Sequence, residues 1–384
     1  MFSNSTTIGY LASSGVRGGI ESNSASESPR TPGTPGSNES DVPEEYYAFR
    51  DLICPELFRK NVSRNTSALQ GAGWVAEIMT TPHQGRFFDN IRMTKQCFYA
   101  LVDALTSRGL LLTVSHPGLH QSRRFHRVLS AFCAMAPELI TPPNFAEPHP
   151  RVANNPDFYP FFKDCVGAMD GMLVPVWVPP VDQNRYQSRK GRVAHNVLVI
   201  CDFDMNFTYV YAGWEGSAAD ARVLDNAVSK DPNFPFPPID AGFANYHCFL
   251  APYRGTRYHL PEWRGPGRRY RSPQDMFNHA HLRLRNIIER CFGVLEKYFS
   301  ILQWGMPSYL QHHQVDLLIA CCTLHNFIRR FSNDDIIFNE PDEDTPVDMN
   351  SFYHRGHPTT IEIEAQRTLR DSIAVQIWAA YHPN

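Results

Sequence analysis

Cys165-Val-Gly-Ala-Met-Asp-Gly-Met-Leu-Val-Pro-Val-Trp-Val178 is apolar almost throughout and carries a single charge. Its length and Val/Met content read as a buried β-strand. Strand alternation puts Val166, Ala168, Asp170, Met172 and Val174 on one face. A carboxylate in that company is costly unless it is paired, hydrogen-bonded or bound to metal. Asp170 is therefore read as either a metal ligand or a buried acceptor.

Two further acids stand in similar relief. Asp240 opens Asp240-Ala-Gly-Phe-Ala-Asn245 after a proline-rich stretch. It serves as a second ligand or, alternatively, as a turn former before Gly242. Glu289 lies in a long helical pattern whose apolar arc is Leu284, Ile287, Ile288, Cys291, Val294, Leu295 and Tyr298. It falls at the margin of that arc, where a carboxylate can face a cleft. The alternative is an Arg285–Glu289 pair at i,i+4, worth about 0.2–0.5 kcal/mol on an exposed helix. Three converging carboxylates suit hard divalent cations and phosphoryl-transfer chemistry. Asp220 is a rival second acid, but its place three residues after Ser217 suits a capping box.

Outward from these acids, His195–Asp202 and Phe207–Trp214 are β-rich runs joined by a short polar link, and read as a hairpin. A helix from Ser217 to Val228 follows, then a short strand leading into Asp240. Helices are expected over about 273–299, 315–331 and 361–381. Strands followed by helix, strand and helix imply a mixed α/β sheet flanked by helices. Residues 160–330 hold this domain, and 331–384 form an acidic linker with a C-terminal helix. Residues 44–137 read as a helical N-terminal domain, with Phe98, Leu101, Val102 and Leu105 forming one stripe. Residues 1–43 read as a disordered tail, with ten serines in the first forty positions and Ser28-Pro29, Thr31-Pro32 and Thr34-Pro35 dipeptides.

The 384 residues carry a net charge of -3, too mild to mark a nucleic-acid binder by bulk charge. No signal peptide or membrane span is expected, since the Val315–Ile328 apolar run is short and holds Asp316. The nine cysteines lack a C-x-x-C pair and read as reduced core thiols of a nuclear or cytosolic protein. His279, His281, His312 and His313 read as surface or groove residues.

Local charge is uneven. Arg185, Arg189, Lys190 and Arg192 cluster before the hairpin. Residues 254–297 hold ten Lys/Arg, among them Arg254, Arg257, Arg268, Arg269 and Arg271, against four acids, a local net charge of +6. Tyr186, Tyr253, Tyr258, Trp263 and Tyr270 are interleaved. Basic groups with aromatics suit a nucleic-acid backbone and unstacked bases; a solvated basic loop is the alternative.

Gly167-Ala-Met-Asp170-Gly, Gly216-Ser-Ala-Ala-Asp220-Ala-Arg-Val-Leu224, Asp240-Ala-Gly-Phe, Leu250-Ala-Pro-Tyr-Arg-Gly-Thr-Arg-Tyr258, Asn286-Ile-Ile-Glu289-Arg-Cys-Phe-Gly-Val-Leu295 and Leu324-His-Asn-Phe-Ile-Arg329 occur in that order. Together they resemble PIF/Harbinger transposases and their domesticated relatives, over about residues 160 to 330. The resemblance implies a ribonuclease H-like fold and a DDE site, with Asp170 on the first strand, Asp240 ending the fourth and Glu289 on the following helix. It implies Mg²⁺ or Mn²⁺ as cofactor, with two ions ~4 Å apart. It also implies DNA as substrate, a Myb/SANT-like DNA-binding partner, a nuclear place of work and self-association, with no membrane. Gly73-Trp-Val-Ala-Glu-Ile-Met79 is similar to the helical domain preceding this nuclease in plant members. Two departures stand out. Gln121-Ser-Arg-Arg-Phe-His-Arg127 resembles only the last helix of the family's helix-turn-helix, which is therefore truncated. Met172-Leu173 replaces the polar pair usual after the first acid. The resulting expectation is a metal-dependent DNA endonuclease derived from a transposase. The alternatives are a domesticated non-catalytic chromatin or DNA-binding factor, or a decayed transposon copy.

Overall fold

The computed structural model describes residues 9–11, 72–81, 84–110, 121–237, 249–258, 269–332, 335–339 and 360–382. They fall into two compact units, one of residues 1–17 and 97–384 and the other of residues 18–96. In the smaller unit, α1 (Ala72–Thr80) and α2 (Gln84–Ile91) are tied by an Arg86–Glu77 ion pair of 2.5 Å. Lys95 Nζ also donates to the Met79 carbonyl at 2.8 Å. The helix α3 (Lys95–Ser107) spans the boundary between the units and buries Cys97, Leu101 and Leu105. Val102, expected in the same stripe, is exposed. The described residues of the expected helical domain, 44–137, fall partly in each unit.

The larger unit is built on a five-stranded mixed sheet. Its strands are β1 (Gly9–Leu11), β2 (Cys165–Pro175), β3 (Ala194–Cys201), β4 (Phe207–Glu215) and β5 (Phe249–Leu250), in the order β4-β3-β2-β1-β5. β2, β3 and β4 are antiparallel, with Asp170 opposite Val199, while β1 runs parallel to β2 and β5. The tail expectation is corrected at Gly9–Leu11, where a short apolar run finds backbone partners on both sides. The rest of residues 1–43 lies outside the described residues, as does Asp240; the described residues 231–237, ahead of Asp240, form no strand, which corrects that expectation over these residues.

Three helices precede and punctuate the sheet: α4 (Gln121–Leu139), α5 (Pro150–Ala153) and α6 (Gln183–Tyr186). One face of the sheet is covered by α7 (Asp220–Lys230). Val223, Leu224, Ala227 and Val228 pack there on Met169, Leu198, Ile200 and Tyr209. The opposite face carries α8 (Pro273–Tyr298), followed by α9 (Ser300–Trp304) and α10 (Gln311–Phe331). Leu284, Ile287, Ile288, Cys291 and Leu295 of α8 are all buried, so the 3.6-residue stripe read from the sequence is the helix's core face. α11 (Ile336–Asn339) and α12 (Thr360–Tyr381) complete the chain, and α12 packs along α8.

The motif glycines and polar residues have packing reasons. Asn326 donates to the Phe207 carbonyl at 2.7 Å and accepts from the Phe207 N–H at 2.8 Å. Its carboxamide therefore serves β4 as a backbone partner would. A Cβ on residue 171 would run into the Asp220 carboxylate, so only glycine lets β2 and α7 approach this closely. Cys97, Cys133, Cys165, Cys201, Cys291, Cys321 and Cys322 are free thiols among the described residues, and all but Cys133 are fully buried. No described helix is long and apolar enough to cross a membrane.

Candidate active site

The candidate site lies where β2 meets α8. Asp170 and the wholly buried Arg285 form an ion pair, and the same Nη2 of Arg285 donates to Glu289 Oε1 at 2.9 Å. The Asp170 side chain is 4% exposed and that of Glu289 21%. Because both carboxylates share one nitrogen, their near oxygens lie within about 6 Å of each other, two hydrogen-bond lengths. Asp170 Oδ1 accepts the Gly171 N–H at 2.8 Å. That bond sets the carboxylate's rotation and turns Oδ2 toward the guanidinium.

The sequence left two roles open for each acid, and the paired role is present for Asp170 and Glu289, both through Arg285. The Arg285–Glu289 pair at i,i+4 exists, but it is the outer half of a three-residue buried network. A guanidinium at 0% exposure needs carboxylate partners, because an unpaired buried charge costs several kcal/mol. Two carboxylates against one guanidinium leave a net charge of -1; Asp240 lies outside the described residues.

Helix α8 presents these groups through one buried polar stripe: Asp275, Asn278, His281, Arg285 and Glu289, spaced three or four residues apart. Its first three members pin β5 and the segment after it. Ser272 caps the helix by accepting the Asp275 N–H at 3.2 Å. Asp275 in turn accepts from Arg271 N at 2.9 Å and pairs with Arg257. Asn278 bonds both backbone groups of Tyr253, at 2.7 and 2.9 Å. His281 Nε2 donates to the Leu250 carbonyl at 2.9 Å, which leaves Nδ1 to accept the Tyr258 hydroxyl at 2.7 Å. Burial holds the His281 imidazole down at about 4, so it is neutral in the folded protein. Tyr258 is pushed well above the usual phenol range by burial and by the negative charge of Glu289. Tyr258 and His281 thus form a dry, uncharged wall beside the acid pair. The expectation that His281 is a surface or groove residue is corrected: the helix stripe buries it.

Asp220 sits on the other face of the sheet. It accepts from Asn196 Nδ2 at 2.5 Å, and Asn196 also donates to the Ala218 carbonyl at 2.9 Å. It is the first residue of α7, whose cap is Ala219 rather than Ser217, so the capping-box expectation is corrected. The buried Asn196 side chain gives the carboxylate a better partner than the exposed helix end.

The basic residues have varied surroundings. Arg185 is 64% exposed and pairs with Glu215. Arg189, Lys190 and Arg192 are exposed on the turn between β2 and β3, where Ser188 N donates to the Arg192 carbonyl at 2.8 Å. Gly191 closes that turn at φ +73, a conformation side chains disfavour. β2 ends at Pro175, five residues past Asp170, so this turn stands at least ~16 Å from the acids. Arg254, Arg269 and Arg271 are exposed, while Arg257 is committed to Asp275 and the Arg269 carbonyl. Arg268 and Trp263 lie outside the described residues.

The interleaved tyrosines are not a stacking surface. Tyr186 and Tyr258 are buried, Tyr253 is engaged with Asp371 under the Arg370 guanidinium, and Tyr270 bonds His279. Trp177 and Trp304 are among the exposed rings of the described residues, at 45% and 80%. Trp177 was legible: in the opening strand it alternates with the buried Val176 and Val178.

The donor set fits a hard divalent cation. Asp170 and Glu289 offer oxygen ligands, and the site already holds a positive group between them. No group of three or more His, Cys, Asp or Glu suited to a metal occurs among the described residues.

Residues 169–326 match the model of the DDE superfamily endonuclease family. The chain is 29% identical over 211 residues to a rat protein named "Putative nuclease HARBI1", covering 54% of this chain and 57% of that one. It is 26% identical over 211 residues to the cattle protein of the same name, covering 53% and 56%. "Protein ALP1-like" of Arabidopsis thaliana is 24% identical over 235 residues, covering 56% and 54%. The chain spans a little over half the length of these curated relatives. No solved structure matches it.

Proposed function

We propose that this Harbinger-type DDE superfamily protein is a transposase-derived, divalent-metal-dependent DNA endonuclease. The observation that carries the reading is the buried Asp170–Arg285–Glu289 network, which joins two hard-oxygen ligands from β2 and α8 around one point of positive charge. Asp240 is the third acid of this reading. Asp170, Asp240 and Glu289 would hold Mg²⁺ or Mn²⁺. When bound, such ions supply Lewis-acid stabilisation of charge on phosphoryl oxygens.

The chain's own residues do the positioning. The Gly171 N–H fixes Asp170, so that Oδ2 faces the site. Arg285 holds both carboxylates at one spot and screens their mutual repulsion. The Tyr258–His281 pair keeps that wall free of water and of competing charge. Arg185, Arg189, Lys190 and Arg192, together with Arg254, Arg268, Arg269 and Arg271, contact phosphates away from the acids. Work in the nucleus, a Myb/SANT-like DNA-binding partner and self-association belong to the same reading.

A second reading is favoured by one observation. Arg285 already offsets one of the acid pair's two charges, and Met172, buried next to Asp170 on the same face, offers no polar support. Both suit a domesticated, non-catalytic DNA-binding factor. Nicking of supercoiled plasmid by the purified chain with Mn²⁺ separates the two. The nuclease reading expects nicking that is lost in Asp170→Ala, Glu289→Ala; nicking that survives this double substitution refutes it.

A further inference from the structure

Two exposed tryptophans and a basic turn lie near the Pro175 end of β2, away from the acid pair. Trp177 follows β2, its neighbours Val176 and Val178 are buried, and its ring stands outward. Val176 N donates to the Val193 carbonyl at 3.1 Å, which continues the β2–β3 register past Pro175–Ala194. In that register Trp177 lies across from Arg192, and cross-strand neighbours have Cβ atoms about 5 Å apart. On the other side, Met306 N donates to the Pro175 carbonyl at 3.1 Å. That bond brings the end of α9, and Trp304 with it, alongside the same strand end. Gln314 Nε2 clamps the Trp177 and Tyr309 carbonyls, both at 2.8 Å, so the platform's backbone is held from behind.

We infer that Trp177 and Trp304 form a stacking platform for unpaired DNA bases, with Arg192 and its turn holding the adjoining phosphates. Indole faces accept any base, and an exposed basic turn beside them supplies the complementary charge for the strand. The platform is seven residues beyond Asp170 along the strand direction, about 23 Å away. At 3.4 Å of duplex axis per base pair, it would meet a bound DNA roughly seven base pairs from the acids. There it selects opened or single-stranded segments rather than contributing to bond cleavage.

This inference rests on the nucleic-acid reading above, and its test separates the two. The full-length chain is titrated against a labelled oligothymidine strand and against a blunt duplex, by fluorescence anisotropy. Trp177→Ala and Trp304→Ala should each weaken single-strand binding about tenfold and leave duplex binding within about twofold. Trp177→Phe should keep most of the affinity, and tryptophan fluorescence should quench on adding the strand. Arg192→Gln should weaken both ligands and lower the salt slope by about one. Single-strand binding unchanged in the Trp177→Ala, Trp304→Ala variant overturns the platform. So does equal loss on strand and duplex, or loss of self-association with DNA binding intact, which would mark a protein interface. A chain that binds neither DNA overturns both this inference and the nucleic-acid reading.

Discussion

Replacing Arg285 by methionine tests the heart of the site. Methionine keeps the apolar length of the arginine stem, so little volume is lost, while the charge between the two acids disappears. The Asp170 side chain is 4% exposed and cannot be rescued by water where it stands. Glu289 is 21% exposed and would recover part of its loss by turning outward. Removing one partner of a buried pair costs about 3–5 kcal/mol, because the remaining charge is left uncompensated. In a domain of this size each kcal/mol moves the thermal midpoint by about 2–4 °C, so a fall on the order of 10 °C is expected. Saturating Mn²⁺ should return much of it, since a ligand at a hundred times its Kd adds about 2.7 kcal/mol. Asp170→Asn combined with Arg285→Met should be less destabilised than Arg285→Met alone, because the stranded charge is gone. Circular dichroism melts with and without Mn²⁺ read all three effects. A melt of Arg285→Met within about 1 °C of the parent would refute the network's role.

Acid should destabilise the protein through its buried histidines. His281 and His325 are held near 4 by burial, against an ordinary value of 6.5. In both the neutral form is favoured on folding, so the unfolded chain takes up protons first as pH falls. Their contribution is complete above 6.5 and is lost progressively down to about 4, reaching about 2 kcal/mol each by pH 5. Urea midpoints should fall between pH 7.5 and 5, with equal midpoints the contrary result. Gly171→Ala should cost about 1–3 kcal/mol, because its methyl group meets the Asp220 carboxylate. The same substitution with Asp220→Ala should recover part of that cost, and additive losses would contradict the clash.

The fold was legible where periodicity is strong. The 165–175, 194–201 and 207–215 strands and the 273–298 helix emerge near the positions their apolar patterns dictate. Asp170 and Glu289 were legible as charges in apolar company, and they do meet. Arg285 was legible only as a helix-surface partner of Glu289, because nothing in i,i+4 spacing reveals that β2 supplies a second carboxylate. Asp220 was misread for the same reason: its partner, Asn196, is 24 residues away and reaches it through the sheet. The burial of His281 was hidden because helical position alone does not tell which loop will cover it. The interleaved tyrosines failed as a stacking surface because composition counts rings without saying which way they point. Trp177 points outward by simple strand alternation.

The central claim is that Asp170 and Glu289 hold a divalent cation. Mn²⁺ binding followed by electron paramagnetic resonance, in the parent chain and in the Asp170→Asn, Glu289→Gln variant, tests it most directly. Saturable binding that broadens the free-Mn²⁺ signal is expected in the parent and is lost in the variant. Equal binding in both would contradict it, as would a parent chain that binds no Mn²⁺.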